Sequence, residues 1–440
     1  MIHRLIDFLE ASPVNFLATQ TVGNRLEEAG FHRIDAGDKL TGVKPGDQIF
    51  FTKNDSSIYA LRIGRKPISE AGFRLICAHC DSPTMRIKPN AEMTDKEGHI
   101  RLNTEVYGGP ILSTWFDRPL SLAGRVILRT DDALNPATRL LHIRRPLLQI
   151  SNLAIHFNRQ VNDGVKLSRQ KDMLPIMGLI NNELEREGVL LKLISEELKV
   201  EKADILDFDL YLYDTTPACT FGLHQEFISA GRLDDLSMVH AALEALLTSK
   251  DADGNDGECE QYIPEVTQVM AIFDNEETGS QTKQGAGSPY LASILQRINA
   301  AQGGTADDYY RAIEHAFMVS ADNAHAYHPN YSEKYDPTNH PRLGGGPVIK
   351  YNAAQKYASD AVSGAVFAEI CRKAGVPCQR FVNHSDVAGG STLGNILASS
   401  LPLRGVDMGN PVLAMHSVRE TGSVADHEYC IKAFTQFYID

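Results

Sequence analysis

Four short apolar segments, each followed at once by acidic or histidine residues, constrain the fold of this chain more than any other feature. They are residues 73–78, 266–273, 316–320 and 411–415. Apolar runs of about five to eight residues are typical of strands covered on both faces of a sheet. The polar residues that follow are therefore expected at the carboxyl ends of strands, where open α/β sheets bind ligands.

Helical patterns lie between these runs. In residues 234–249, leucine and valine recur at helical spacing, which predicts a helix with Asp234 at or just before its N-terminus and Asp235 in the cap region. Residues 353–374 contain another helix-compatible stretch. Strands that alternate with helices predict a layered α/β domain.

A second pattern occupies the middle of the chain. Residues 100–107, 122–128 and 208–213 alternate apolar and polar side chains, as half-exposed strands do. We therefore predict a β-rich domain at 91–222, inserted into a catalytic domain formed by 1–90 and 223–440. A chain of 440 residues suits two domains. The polar, glycine-containing residues 251–257 are predicted to form a surface loop.

Composition excludes several classes of protein. The chain has 43 basic and 56 acidic residues, hence a net charge of −13, which argues against a nucleic-acid partner. No apolar run approaches the roughly 18 to 20 residues of a membrane helix, and the first twelve residues lack a signal-peptide core. We therefore expect a cytoplasmic protein with no membrane partner.

The seven cysteines are scattered along the chain and are expected to be free thiols. Cys77 and Cys80 have the spacing of a redox or zinc motif. However, they lie in an apolar, strand-like run, and no second pair of this spacing completes a zinc site. We therefore favour a structural role for both.

Five of the polar residues are candidate metal ligands: His79, Asp234, Glu277, Asp322 and His416. Imidazole and carboxylate donors suit zinc, and also manganese or cobalt. The three carboxylates and a bridging hydroxide would balance the charge of two divalent ions, with one neutral histidine for each ion. The set therefore predicts a dinuclear site of the kind that activates water.

Each candidate also has a simpler interpretation when it is taken alone. His79 could be a structural histidine, Asp234 a helix cap and Glu276–Glu277 a solvated pair. Their joint occurrence at predicted strand and helix ends favours a site, and Asp81 is well spaced to orient the imidazole of His79. Of adjacent glutamates, one can bind metal while the other transfers protons. We assign Glu277 to the metal and Glu276 to proton transfer, although the pattern alone does not fix the order.

Seven segments resemble the M18 metallopeptidases, the aspartyl aminopeptidase family. They are residues 77–83 (CAHCDSP), 155–159 (IHFNR), 229–235 (SAGRLDD), 273–280 (FDNEETGS), 320–330 (SADNAHAYHPN), 346–350 (GPVIK) and 413–420 (LAMHSVRE). The resemblance implies a fold similar to dizinc exopeptidases and release of an N-terminal Asp or Glu from peptides. It also implies a homo-oligomer, usually of twelve subunits, which the inserted domain helps to assemble.

The resemblance also implies roles for individual residues. His79 and Asp322 would bind one zinc ion, Glu277 and His416 the other, and Asp234 would bridge the two ions.

Further roles carried over from the family concern catalysis and the substrate. Asp81 would orient the first histidine ligand, and Glu276 would be the general base. His156 looks like a residue that a neighbouring subunit contributes to the active site. His325 and Lys350 look like substrate-pocket residues, although Lys350 could also be an exposed charge.

The chain departs from the family at three places, which bear on the shape of the substrate pocket. Asp235 replaces the usual Asn, Thr278 replaces the usual Val, and residues 389–395 (GGSTLGN) replace the usual CGSTIGP. We predict a dinuclear aminopeptidase acting on peptides. The alternatives are a dinuclear carboxypeptidase, an N-acyl amide deacylase, or an inactive oligomeric scaffold.

Overall fold

The computed structural model describes residues 1–180, 188–249 and 262–440. The helices of these ranges are α1 (Ile2–Ala11), α2 (Asn15–Glu28), α3 (Ile68–Ala71), α4 (Val189–Leu198), α5 (Leu233–Thr248), α6 (Tyr290–Ala301), α7 (Ala306–His315), α8 (Ala361–Lys373), α9 (Leu393–Ser400) and α10 (Val424–Ile439). In the described ranges, no helix has the length and apolar character that crossing a membrane requires. The surface loop predicted at 251–257 lies outside the described residues.

The strands in chain order are β1 (His32–Arg33), β2 (Gln48–Lys53), β3 (Ser57–Arg62), β4 (Phe73–His79), β5 (Thr84–Thr94), β6 (His99–Tyr107), β7 (Leu120–Leu128), β8 (Ala137–His142), β9 (Ile176–Leu179), β10 (Ile205–Asp214), β11 (Cys219–Phe221), β12 (Phe227–Ala230), β13 (Thr267–Phe273), β14 (Phe317–Ala321), β15 (Ala324–His325), β16 (Val348–Lys350), β17 (Gln379–Phe381), β18 (Arg404–Gly409), β19 (Pro411–Val412) and β20 (Glu420–Ser423).

Contacts divide the chain into two compact units. The first comprises Met1–Asp81, Cys219–Met415 and Glu420–Asp440, and the second comprises Ser82–Ala218 and His416–Arg419. The domain limits predicted from the sequence, 1–90, 91–222 and 223–440, stay a prediction.

The first unit is built on a nine-stranded sheet in the order β1-β2-β3-β13-β4-β14-β18-β16-β17. Its four middle strands, β13, β4, β14 and β18, are parallel to one another, whereas β13 pairs antiparallel with β3 and β18 with β16. Parallel strands end at one edge of a sheet, so the residues that follow β4, β13 and β14 share that edge. In the register, Phe273 lies opposite His79.

Both faces of this sheet are covered, which explains why its strands are apolar throughout. On one face, α6, α7 and α9 bury their apolar residues against β3, β4 and β13 in a single cluster. On α10, the hydroxyl of Tyr438 donates a hydrogen bond to the carbonyl of Val269 on β13 (2.9 Å). The layered α/β fold class predicted from the sequence is confirmed.

Local capping explains where one predicted helix begins. The stretch predicted over 353–374 forms α8, which starts only at Ala361. The carboxylate of Asp360 accepts a hydrogen bond from the Ser363 amide (2.8 Å), and the Ser363 hydroxyl accepts one from the Asp360 amide (2.9 Å). This reciprocal cap satisfies amide groups that have no partner within the helix.

The strand predicted over residues 411–415 is wrong in length and in place. The structure has only Pro411–Val412 in strand conformation, paired with β15 in a separate two-stranded sheet. Ala414 has a positive φ of 56°, which ends an extended segment. In chain order, the last strand of the nine-stranded sheet is instead β18, which pairs in parallel with β14.

The second unit contains a six-stranded antiparallel sheet in the order β8-β7-β10-β5-β6-β9. Inward-facing side chains of this sheet and of α4 form one apolar cluster. The close pairing of β7 with β10 requires a glycine at position 124, because a Cβ atom there would lie 2.0 Å from the carbonyl oxygen of Asp209. This is the β-rich second domain that the sequence pattern predicts.

Candidate metal centre

His79 is the last residue of β4 and is buried at the carboxyl edge of the sheet. Its Nδ1 lies 3.0 Å from the carbonyl oxygen of Asp81 and 3.4 Å from the Asp81 carboxylate. A carbonyl oxygen only accepts hydrogen bonds, so Nδ1 carries a proton and Nε2 is the nitrogen left to bind a metal. Nε2 lies 3.7 Å from Oδ1 of Asp234, in the place expected of a metal-binding nitrogen.

The two adjacent glutamates lie on a short 3-10 turn, Glu276–Thr278. The carboxylate of Asp81 accepts hydrogen bonds from the amides of Glu276 and Glu277, both at 3.1 Å. Asp81 therefore fixes the turn, as well as contacting His79. This link between the ends of β4 and β13 positions both glutamates.

Asp234 and Asp235 lie at the start of α5, where their φ and ψ are not helical. Both are buried, and the peptide bond between them is cis. The amide of Asp234 donates to the carboxylate of Glu420 (3.0 Å), and the amide of His79 donates to that of Asp235 (3.2 Å). Each aspartate is thus hydrogen-bonded to a residue of a strand, Asp234 to β20 and Asp235 to β4, and does not serve only as a helix cap.

Asp322 follows β14 and is contacted by a buried lysine. Nζ of Lys350 donates to the carbonyl oxygen (2.7 Å) and to Oδ1 (3.1 Å) of Asp322, and to the carbonyl oxygen of Asn323 (3.2 Å). Burial lowers the pKa of Lys350, but the Asp322 carboxylate outweighs this and the pKa ends above its usual range. The lysine is therefore a permanent cation beside this carboxylate.

Two sets of potential ligand atoms share His79. One set is His79, Glu276 and Asp322, and the other is His79, Asp234 and Glu277. Within each set, the donor atoms lie within 4.8 Å of one another. Imidazole nitrogen with carboxylate oxygens is a donor set that divalent zinc, manganese or cobalt accepts. The residues present therefore fit a metal centre.

The charges around this centre favour cation binding. Burial raises the pKa of Glu276 well above its usual range; His79 opposes this, and neighbouring carboxylates add to it. Burial lowers the pKa of His79, but the carboxylates of Asp235 and Asp81 more than reverse the effect. Crowded carboxylates that raise one another's pKa are stabilised by a cation.

Other residues predicted from the sequence are not members of these two sets. His156 is exposed on a turn of the second unit. His325 ends β15, with its ring 6.0 Å from that of Phe381. His416 belongs to the second unit, where its Nδ1 lies 3.1 Å from the carbonyl oxygen of Gly109. Cys77 and Cys80 are buried free thiols.

Sequence reasoning missed Glu420 as a functional residue, and it treated Asp235 as part of a helix cap and as a departure from the family, without a contact to His79. Both are buried carboxylates that accept amide hydrogen bonds from candidate ligands. A signal existed for Glu420, since it closes the segment 413–420 that contains His416. Its contact with Asp234 depends on tertiary pairing that no local pattern shows.

Comparison with known proteins finds a matching family model and relatives named for the same family. The family model described as aminopeptidase I zinc metalloprotease (M18) matches residues 8–438. A protein of Clostridium acetobutylicum named probable M18 family aminopeptidase 2 is 51% identical over 435 residues, covering 99% of this chain and 98% of that protein. A Pseudomonas aeruginosa protein of the same name is 42% identical, covering 99% of this chain and 97% of that protein.

A similar fold is found among solved structures. A chain of the cryo-EM structure of the Ape4 and Nbr1 complex superposes with a TM-score of 0.92 at 37% identity. The match covers 99% of this chain and 85% of that one.

Proposed function

Because the chain belongs to the M18 family of zinc metalloproteases, we propose that it is a dinuclear metal-dependent aminopeptidase that releases an acidic N-terminal residue from peptides. Family membership supports the aminopeptidase class and the need for metal. The second ion and the acidic preference are the finer parts of the proposal. The observation that carries it is the pair of ligand sets that meet at His79.

In this proposal His79 and Asp322 would hold one ion, Glu277 and His416 would hold the other, and Asp234 would contribute to both. The assignment of His416 rests on the resemblance of residues 413–420 alone. When bound, two divalent ions, most suitably zinc, would polarise the scissile carbonyl as Lewis acids and would lower the pKa of the attacking water.

The protein's own groups handle the proton and the substrate. Glu276 accepts a proton from the attacking water and returns it to the leaving amine. Burial raises its pKa, which makes the carboxylate a stronger base and favours uptake of the proton from the attacking water. The neighbouring carboxylates would bind the positively charged α-amine of the substrate, which accounts for cleavage at the N-terminus.

The activity is tested with a substrate panel that separates the alternatives. We expect turnover of Asp- and Glu-amides above Leu-amide, and none of N-acetylated forms, because a blocked amine loses its attraction to the carboxylates. Hydrolysis of N-acyl compounds alone would indicate a deacylase, and release of C-terminal residues a carboxypeptidase. Absence of turnover with metal bound would indicate a scaffold.

The roles of the two glutamates are tested by a matched pair of variants. We expect Glu276→Gln to keep its metal and to lose about 10² to 10⁴ in kcat, the usual contribution of general acid–base catalysis. We expect Glu277→Gln to lose metal affinity. Because each glutamate lies in a set with His79, the opposite outcome would exchange their roles. Metal content and kcat of both variants decide the matter.

A further inference from the structure

Asn15, the first residue of α2, contacts the loop that follows β13. Its Nδ2 lies 3.0 Å from each carboxylate oxygen of Asp274, and its Oδ1 accepts a hydrogen bond from the amide of Phe16 (2.9 Å). The contact with Phe16 fixes the orientation of the side-chain amide, because only an oxygen accepts there. The NH₂ group must therefore face Asp274.

Asp274 is a buried carboxylate that accepts hydrogen bonds from two other groups besides Asn15. Its Oδ1 also accepts the amide of Asn275 (2.8 Å), and Ser56 donates a side-chain hydrogen bond. Burial raises the pKa of Asp274 to about 7, the nearby carboxylate of Asp81 raises it as well, and the bonds from Ser56 and Asn15 oppose the rise. An amide that bridges both carboxylate oxygens offsets part of the cost of burying this acid.

The contact between Asn15 and Asp274 lies next to the 3-10 turn Glu276–Thr278, which carries the two glutamates. Asp274 is one residue before Asn275, the left-handed residue (φ 60°) that begins the turn. Glu276 and Glu277 follow, and the carboxylate of Asp81 accepts hydrogen bonds from their amides. The turn is therefore fixed at two points, one through Asp81, which follows β4, and one through Asp274 by α2.

We propose that Asn15 is a positioning residue for the turn that carries Glu276 and Glu277, acting through the carboxylate of Asp274. The inference rests on the proposed function and adds a residue of α2 to it. Asn15 does not touch the reacting atoms. Loss of its amide would let the loop shift and would displace the proton-transferring carboxylate, and errors of about 1 Å in such groups can cost up to 10²-fold in rate.

The test compares Asn15→Ala, Asn15→Asp and the reciprocal double variant Asn15→Asp/Asp274→Asn. We expect Asn15→Ala to lower kcat roughly tenfold at nearly constant KM and metal content. Asn15→Asp should be worse, because it places a second carboxylate against Asp274. The double variant restores an amide–carboxylate pair with reversed polarity, so it should recover most of the kcat lost by Asn15→Asp.

Asn24→Ala, at an exposed position of the same helix, is the matched control and should leave kcat unchanged. A purely structural role would lower the melting temperature of the Asn15 variants without changing kcat per metal-loaded chain. That result, or a double variant no better than Asn15→Asp, would overturn the inference while leaving the wild-type activity in place. If the wild type fails to hydrolyse any aminoacyl amide, the proposed function fails and the inference with it.

Discussion

At the scale of single residues, the centre depends on buried charges that are held by donors from distant parts of the chain. Asp81 binds the amides of both glutamates, and Glu420 binds that of Asp234. Removing one partner of such a contact leaves a buried polar group unsatisfied, at a cost of about 1–3 kcal/mol. The geometry of the ligands therefore depends on residues that need not touch a metal.

Lys350 has two possible roles, substrate binding and positioning of Asp322, and a variant at this position distinguishes them. An ammonium has three donors, and Nζ has three acceptors within 3.2 Å on Asp322 and Asn323. We therefore expect Lys350→Met to reduce kcat/KM for Asp- and Leu-amides by similar factors. The exposed Lys334 supplies the control, Lys334→Met. A loss confined to acidic substrates would instead show that Lys350 belongs to the substrate pocket.

The residue types of the centre could be predicted from the sequence because each follows a recognisable run or helix start. The structure brings five of them together in the two sets that share His79. Asn15 could not be found in this way. It lies 259 positions from Asp274, and only the packing of α2 brings the two together.

At the scale of elements, helices α5 and α10 meet at a buried histidine pair. Nδ1 of His240 lies 3.0 Å from Nε2 of His427, and Nε2 of His240 lies 3.4 Å from the carboxylate of Glu244, which also pairs with Arg4 and Arg25. One shared proton satisfies the two facing nitrogens. The contact therefore requires at least one of the two rings to be neutral.

This pair predicts a loss of stability in acid. Burial lowers the pKa of His427 to about 3, whereas an unfolded chain has a histidine pKa near 6.5. The unfolded state then binds more protons, so stability falls as the pH drops from about 6.5 towards 3. We expect His427→Gln to have a smaller decrease in apparent Tm between pH 7 and pH 5 than the wild type.

The exposed His32 supplies the control, since His32→Gln should follow the wild-type curve. An identical pH dependence in the His427→Gln variant would contradict the prediction.

Element prediction succeeded where the local pattern matches the environment. The runs at β4, β13 and β14 are apolar because helices cover both faces of their sheet, and their predicted limits differ from the observed ones by one residue. The sequence of β18 contains Asp407 and two glycines, so it lacks that pattern. Its aspartate is stabilised by Thr392, whose hydroxyl donates to it (2.8 Å), and by the amide of Ala358.

At the scale of the whole molecule, we propose that the chain assembles as a homododecamer. The segment that carries His156 exposes three large apolar side chains, those of Leu153, Ile155 and Phe157. Exposed apolar patches of this kind favour association. Light scattering of the purified protein should then give a mass about twelve times the 48.5 kDa of one chain.

The central claim is that distant acidic and histidine residues hold two metal ions needed for turnover. Elemental analysis of the purified protein, paired with peptidase assays before and after chelation, tests it most directly. We predict two equivalents of zinc, or of a similar divalent metal, per chain, with activity lost on their removal and restored on their return. Full turnover by protein that contains almost no transition metal would contradict the account.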